Sequence, residues 1–101
     1  MNAAQMEGAA KIFSSLSEPT RLCLLKALMD GPMTVGQLVG QTGMKQGNVS
    51  KHLGLLVDAG LLGRERDGNF VRYSVRDPLV YQLCELVCDK VRRDAMDRIA
   101  S

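Results

Sequence analysis

The chain has 101 residues, enough for one domain spanning 1–101 and too few to bury a large core unaided. Hydrophobic residues make up 46% of it, but with no Trp, two Phe and two Tyr the core must be aliphatic. A net charge of +2 does not by itself declare a nucleic-acid partner, and no apolar run approaches the roughly 20 residues of a membrane span.

Taken in chain order, residues 3 to 16 read as a first helix, with Met6, Ala9, Ala10, Phe13 and Leu16 at three- and four-residue spacing. Ser17-Glu18-Pro19 stops and restarts the chain, with Ser17 as the cap and Pro19 in the first turn of a second helix. That helix runs to about Asp30 with Leu22, Leu25, Leu28 and Met29 on one side, and Gly31-Pro32 ends it. Thr34-Val35-Gly36-Gln37 fits a capping box and opens a short third helix carrying Val35, Leu38 and Val39. After Gly43, a fourth helix covers about Gln46 to Ala59 with Val49, Leu53, Leu56 and Val57 inward, and Gly60 stops it. Two helices joined by a short Gly-containing turn form a helix-turn-helix pattern. Leu62, Arg64 and Arg66 then lead into Asp67-Gly68, a preferred hairpin turn, and residues 70 to 76 alternate as a half-buried strand. Asp77-Pro78 caps a final helix of about twenty residues.

Charge is unevenly spread along this order. Residues 45–76 hold Lys45, Lys51, Arg64, Arg66, Arg72 and Arg76 against Asp58, Glu65 and Asp67, while the two ends are balanced or slightly acidic. One positive middle section is what a phosphate-facing surface requires.

The order is helix, helix, helix-turn-helix, hairpin, helix. Leu16-Ser17-Glu18-Pro19-Thr20-Arg21, Met44 to Leu53, Asp58-Ala59-Gly60-Leu61 and Val71-Arg72-Tyr73-Ser74 follow one another at spacings that resemble the ArsR/SmtB family of winged-helix repressors. The resemblance covers nearly the whole chain. It implies a mainly α winged helix-turn-helix (α-α-α-α-β-β-α) that dimerises through its terminal helices and binds an inverted-repeat operator in double-stranded DNA.

The residues themselves support that reading. In the fourth helix Val49, Leu53 and Leu56 cluster on one side, while Gln46, Asn48, Ser50 and Lys51 lie away from them near the N-terminus. Gln and Asn can read adenine, Lys can read guanine, and Ser suits base or phosphate. His52 is placed to bond phosphate or a neighbouring backbone group. Lys45 departs from the resemblance, which favours Ser or Thr as the cap, but it adds a favourable charge. In the hairpin, Arg64, Arg66 and Arg72 flank a tip that includes Asn69, and Arg66 and Arg72 are expected to position the phosphates. The last helix carries Leu79, Val80, Leu83, Leu86, Val87 and Val91 on a face wider than one small domain covers. Those residues, with Phe13, are the expected dimer interface. After Val91 the charges suggest a solvated, fraying end.

The resemblance also raises the question of a sensor. One metal site of such proteins is Cys-rich at the start of the third helix, and Met33 to Leu38 holds no Cys. Another uses Asp and His on the last helix, and His52 is the only histidine in the chain. No required cofactor is therefore read from the sequence. Thiols remain: Cys84 and Cys88 share a face of the last helix, and Cys23 sits on the flank of the second. If they converge, they suit arsenite or another soft ion, or a disulfide or polysulfide bridge. The alternative is that they are small apolar fillers. The start of the chain lacks the pattern of a signal peptide, so a cytoplasmic protein with reduced thiols is expected. No P-loop, nucleotide fingerprint or Cys–His catalytic arrangement is present, and an enzyme is not expected. The readings that compete with a signal-released repressor are a constitutive DNA binder with structural cysteines and a winged helix used for protein–protein contact.

Overall fold

The computed structural model describes residues 1–100; Ser101, the last residue of the expected domain, lies outside them. Five helices and three strands follow in the order α1 (Ala3–Leu16), α2 (Pro19–Leu28), β1 (Met33–Thr34), α3 (Val35–Thr42), α4 (Gln46–Asp58), β2 (Leu62–Asp67), β3 (Phe70–Val75) and α5 (Leu79–Ala100). The expected winged helix-turn-helix is present.

Local chemistry explains most boundaries. Thr34 and Gln37 form the expected capping box, with Gln37 N donating to Thr34 Oγ1 at 3.1 Å and Thr34 N to Gln37 Oε1 at 2.9 Å. Asn2 and Gln5 form a second one at the start of α1. Gly43 closes α3 at φ 72°, a left-handed conformation that a side chain would resist, and so makes the turn between α3 and α4. The cap of α2 is Glu18 rather than Ser17: its carboxylate accepts from Arg21 N, while Ser17 Oγ donates back to Ser14 O. A carboxylate one residue nearer the helix reaches the open N–H groups, so the hydroxyl is left to finish α1.

The core consists of Leu24, Leu25 and Leu28 from α2, Leu38 from α3, Val49, Leu53 and Leu56 from α4, then Leu61, Leu62, Tyr73 and Val80. It lies between the helix-turn-helix and the inner end of the sheet. The buried stripe of α2 is turned from the expected one: Leu24 is buried and Leu22 is 44% exposed.

The wing is a three-stranded antiparallel sheet of order β1-β3-β2, and its two-residue first strand was not foreseen. Met33 pairs with Tyr73, which anchors the hairpin to the start of α3. At the tip Asp67 pairs with Phe70, so the turn is Gly68-Asn69, one residue beyond the expected Asp67-Gly68. Only Gly68 has positive φ there, 62°, which fits a type II′ turn with glycine at its first central position.

The terminal helices contribute little to this core. No residue of α1 is buried. Among the described side chains of α5 only Val80 is, which removes Val80 from the expected dimer face and makes it a core residue. Leu79 and Leu83 are half-buried, and Leu86, Val87 and Val91 are 66%, 58% and 60% exposed. The helix continues past Val91 to Ala100. Ion pairs at helical spacing, Lys90 to Asp94 at 2.8 Å and Arg92 to Asp89 at 3.2 Å, accompany it through its charged stretch. Among the described residues no helix is long and apolar enough to cross a membrane.

Candidate nucleic-acid interface

The fourth helix is held by one face and open on the other. Val49, Leu53 and Leu56 are fully buried, which seats it against α2 and β2. Gln46, Asn48, Ser50 and Lys51 are exposed, as is Lys45 at the N-cap. Lys45 has extended backbone (φ −70°, ψ 141°) and no side-chain cap bond, so the first N–H groups of α4 face outward unclaimed by a side chain. Amide donors, the positive end of a helix and two lysines meet there, which suits a phosphate beside a groove.

Two glycines complete the outward side and were not singled out in the sequence. Gly47 and Gly54 lie near Lys51 by helical angle, and nothing stands within 4 Å of where a Cβ would sit on either. Glycine inside a helix is destabilising by roughly 0.8–1.0 kcal/mol relative to alanine. No neighbour within the protomer forces that cost in α4.

His52 does not belong to the exposed set. Its side chain is 11% exposed and turned inward, where Nδ1 stands 3.2 Å from Arg21 Nη1 and 4.0 Å from Glu18 Oε2. The expected phosphate or backbone contact is replaced by a cluster with the start of α2. Helical angle puts His52 on the border of the apolar stripe, and a partner 31 residues away decided its side. Burial pushes the Glu18 carboxyl up, but the Arg21 and Thr20 donors and His52 outweigh it and hold the carboxyl below its ordinary value.

The wing arginines are separated by the strand pairing. Arg64 pairs with Tyr73 and Arg66 with Val71, so these two share the face that is buried farther in. Arg72 pairs with Glu65 on the opposite face, and its Nε donates to Asp67 Oδ2 at 3.1 Å. Arg66 Nε approaches Gly68 O at 3.4 Å. Arg64, Arg66 and Asn69 are exposed at or near the tip, whereas Arg72 is half-buried and already shares its charge with Asp67. The wing thus offers two arginines on one side rather than three together.

Behind the DNA-reading unit, α2 and α5 enclose an apolar groove of about 470 Å³. Cys23, Cys84 and Cys88 all line it, with Leu22, Lys26 and Phe13 among its other walls. Cys23 and Cys88 are exposed in the protomer, while Cys84 is half-buried and packs against the core. Burial raises the Cys84 thiol above its ordinary value, Cys88 adds to that, and Lys26 opposes it. The three do not form a ready ion site: among the described residues no three Cys, His, Asp or Glu side chains gather as metal ligands.

Comparison with known proteins agrees with this architecture. The model for bacterial regulatory proteins of the arsR family matches residues 18–63, from the cap of α2 into β2. A probable mercury resistance operon repressor of Streptomyces lividans is 44% identical over 77 residues, 76% of this chain and 62% of the relative, so the chain spans about three fifths of that protein. An uncharacterised HTH-type transcriptional regulator of Mycobacterium tuberculosis, Rv0081, is 33% identical over 90% of this chain and 81% of its own length. Its crystal structure superposes with a TM-score of 0.84 over 98% of this chain and 99% of that one, at 29% identity. The solution structure of a homodimeric winged helix-turn-helix DNA-binding domain from Mycobacterium bovis gives a TM-score of 0.80 at 29% identity, over 91% and 83% of the two chains.

Proposed function

The chain belongs to the arsR family of bacterial regulatory proteins, and from that premise we propose that it works as a homodimeric repressor gripping an inverted-repeat operator through α4 and the β2–β3 wing. The observation that carries this reading is the two-sided α4, with a fully buried apolar stripe behind an exposed row of Gln46, Asn48, Ser50 and Lys51. Lys45, Lys51, Arg64 and Arg66 supply phosphate contacts, Gln46 and Asn48 read bases, and Asn69 sits at the wing tip. Arg72 acts less directly, by holding Asp67 and shaping the tip.

Dimerisation follows from the terminal helices. Phe13, Leu86, Val87 and Val91 leave an apolar face that a lone protomer cannot cover. A two-fold partner buries it; the neighbour from Mycobacterium bovis is itself homodimeric. The two α4 helices of such a dimer then enter successive major grooves roughly 34–36 Å apart.

The signal that releases the operator is directed at the thiols of the α2–α5 groove. The Streptomyces relative is named for mercury resistance, and three thiols are donors of the right kind for such a soft ion. Their spacing does not fit a preformed site, so no metal-bound step is assigned. What this chain supplies is a pair of exposed thiols on two helices, Cys23 and Cys88, with the Cys84 thiol, raised above its ordinary value by burial, lining the same groove. Tying α2 to α5 displaces the reader against the dimer helix, whereas a link between Cys84 and Cys88 ties one turn of one helix and moves nothing. Operator binding by reduced, oxidised and arsenite-treated protein is the test. The wild type should release DNA on treatment and Cys23→Ser should not; release that survives Cys23→Ser removes Cys23 from the signal.

A further inference from the structure

We propose that Arg21 is a positioning residue for DNA recognition, acting through His52 to set how α4 is rotated toward the groove. The inference rests on α4 being the DNA-facing helix. Its basis is a cluster of contacts that joins three helices at one guanidinium. Arg21 Nε donates to Ser15 O at 2.7 Å and Nη2 to Ser14 O at 3.2 Å, so the planar fork closes the C-terminal end of α1. Its third arm, Nη1, stands 3.2 Å from His52 Nδ1 on α4. The Arg21 backbone N–H donates to Glu18 Oε2 at 3.1 Å, which fixes the start of α2 beneath the fork.

The contact decides which ring nitrogen accepts. A guanidinium can only donate, so Nδ1 accepts in this contact and Nε2 is the ring nitrogen left to carry a proton. Glu18 Oε2, 4.0 Å from Nδ1, is too far to hold a proton there by hydrogen bonding. Among the described residues no buried side-chain nitrogen lacks a partner, and Nε2 has none, so Nε2 is where the ring touches solvent. His52 lies one turn beyond Asn48 and beside Lys51. A ring displaced from Arg21 therefore turns both of those side chains relative to a bound duplex. The helix α1 and the reading helix α4 are linked at this point.

His52 is the only histidine, so its ring nitrogens can be read directly in the intact protein by ¹⁵N NMR. The spectrum near neutral pH should show a bare Nδ1 and a protonated Nε2; the opposite tautomer overturns the proposal. Four variants extend the test, with affinities taken per folded dimer for operator and for random DNA. His52→Asn keeps an acceptor near the Nδ1 position and should bind operator within about threefold of wild type. His52→Gln and Arg21→Lys lose that contact and should bind operator roughly tenfold more weakly with random-DNA affinity unchanged. Lys51→Ala should weaken both. Unchanged operator affinity in Arg21→Lys and His52→Gln overturns the proposal, as does an equal loss on both DNAs, which marks a merely structural role. Failure of the underlying reading would show separately, as a wild type with no operator preference and a Lys51→Ala variant without effect, and would overturn the proposal with it.

Discussion

Val80 and Val87 are two turns apart on α5 and have opposite fates, one 1% and the other 58% exposed in the protomer. Replacing each by alanine separates fold from assembly. Val80→Ala removes two methyl-sized groups from a filled core, about 1.6 kcal/mol of transfer plus a cavity term, hence roughly 2–3 kcal/mol of stability. Leu86 strengthens the contrast at 66% exposure. Leu86→Ala removes about three carbons, near 2.4 kcal/mol if fully transferred, of which about two thirds, or roughly 1.5 kcal/mol, is left for an interface. A two-fold dimer counts that twice, so the dimer dissociation constant should rise on the order of 100-fold. Sedimentation across a concentration series reads the second effect and denaturant unfolding at fixed concentration the first. Val87→Ala should follow Leu86→Ala in direction with a smaller change. If Leu86→Ala and Val87→Ala leave the dimer constant unchanged while Val80→Ala shifts it, the apolar face of α5 has been assigned the wrong partner.

Three further outcomes are expected. Lys51→Ala and Arg66→Ala should each weaken binding to all sequences and reduce the salt slope by about one unit, whereas Arg72→Ala should change the slope less because Asp67 already partners it; equal slopes for Arg66→Ala and wild type would remove the wing from the phosphates. Gly54→Ala should stabilise α4 by roughly 0.8–1.0 kcal/mol, visible in thermal unfolding, yet weaken operator binding as the methyl enters the space between helix and groove. Tighter binding by that variant would place Gly54 away from DNA. Glu18 has a lowered carboxyl, so its contribution is fully present above the ordinary carboxylate value and is lost as pH falls through the folded one. Glu18→Gln should therefore lose less stability than wild type between pH 5 and pH 3, on the order of the window for a perturbed Glu, in pH-jump denaturant titrations.

What the sequence made legible was local or periodic. The Thr34–Gln37 box, the stop at Gly43, the strands around the hairpin and the apolar stripe of α4 each depend on residues within one or two turns of each other, and all stand where expected. What it hid was decided at a distance. His52 lies on the border of a stripe, where a small rotation decides inside or outside, and Arg21 drew it in. Val80 looks like its neighbours on α5 until the core is packed against it. Pairing register put Arg72 on the other face from Arg66, which alternation within one strand does not reveal. The two residues of β1 are too few to show a period at all. At the candidate interface the exposed row of α4 was readable, because amphipathic spacing fixes it; the shared groove of Cys23, Cys84 and Cys88 was readable only as a possibility, since two separate helices must first be docked.

The central claim, that two copies of α4 read one inverted repeat, is tested most directly by titrating the protein onto labelled duplexes carrying an intact repeat, one scrambled half-site, or two. The intact duplex should bind two protomers, about 10³-fold or more tighter than the fully scrambled one at physiological salt, and scrambling a single half-site should forfeit most of that preference. Equal affinity for all three duplexes, or one protomer bound per intact repeat, would contradict the account.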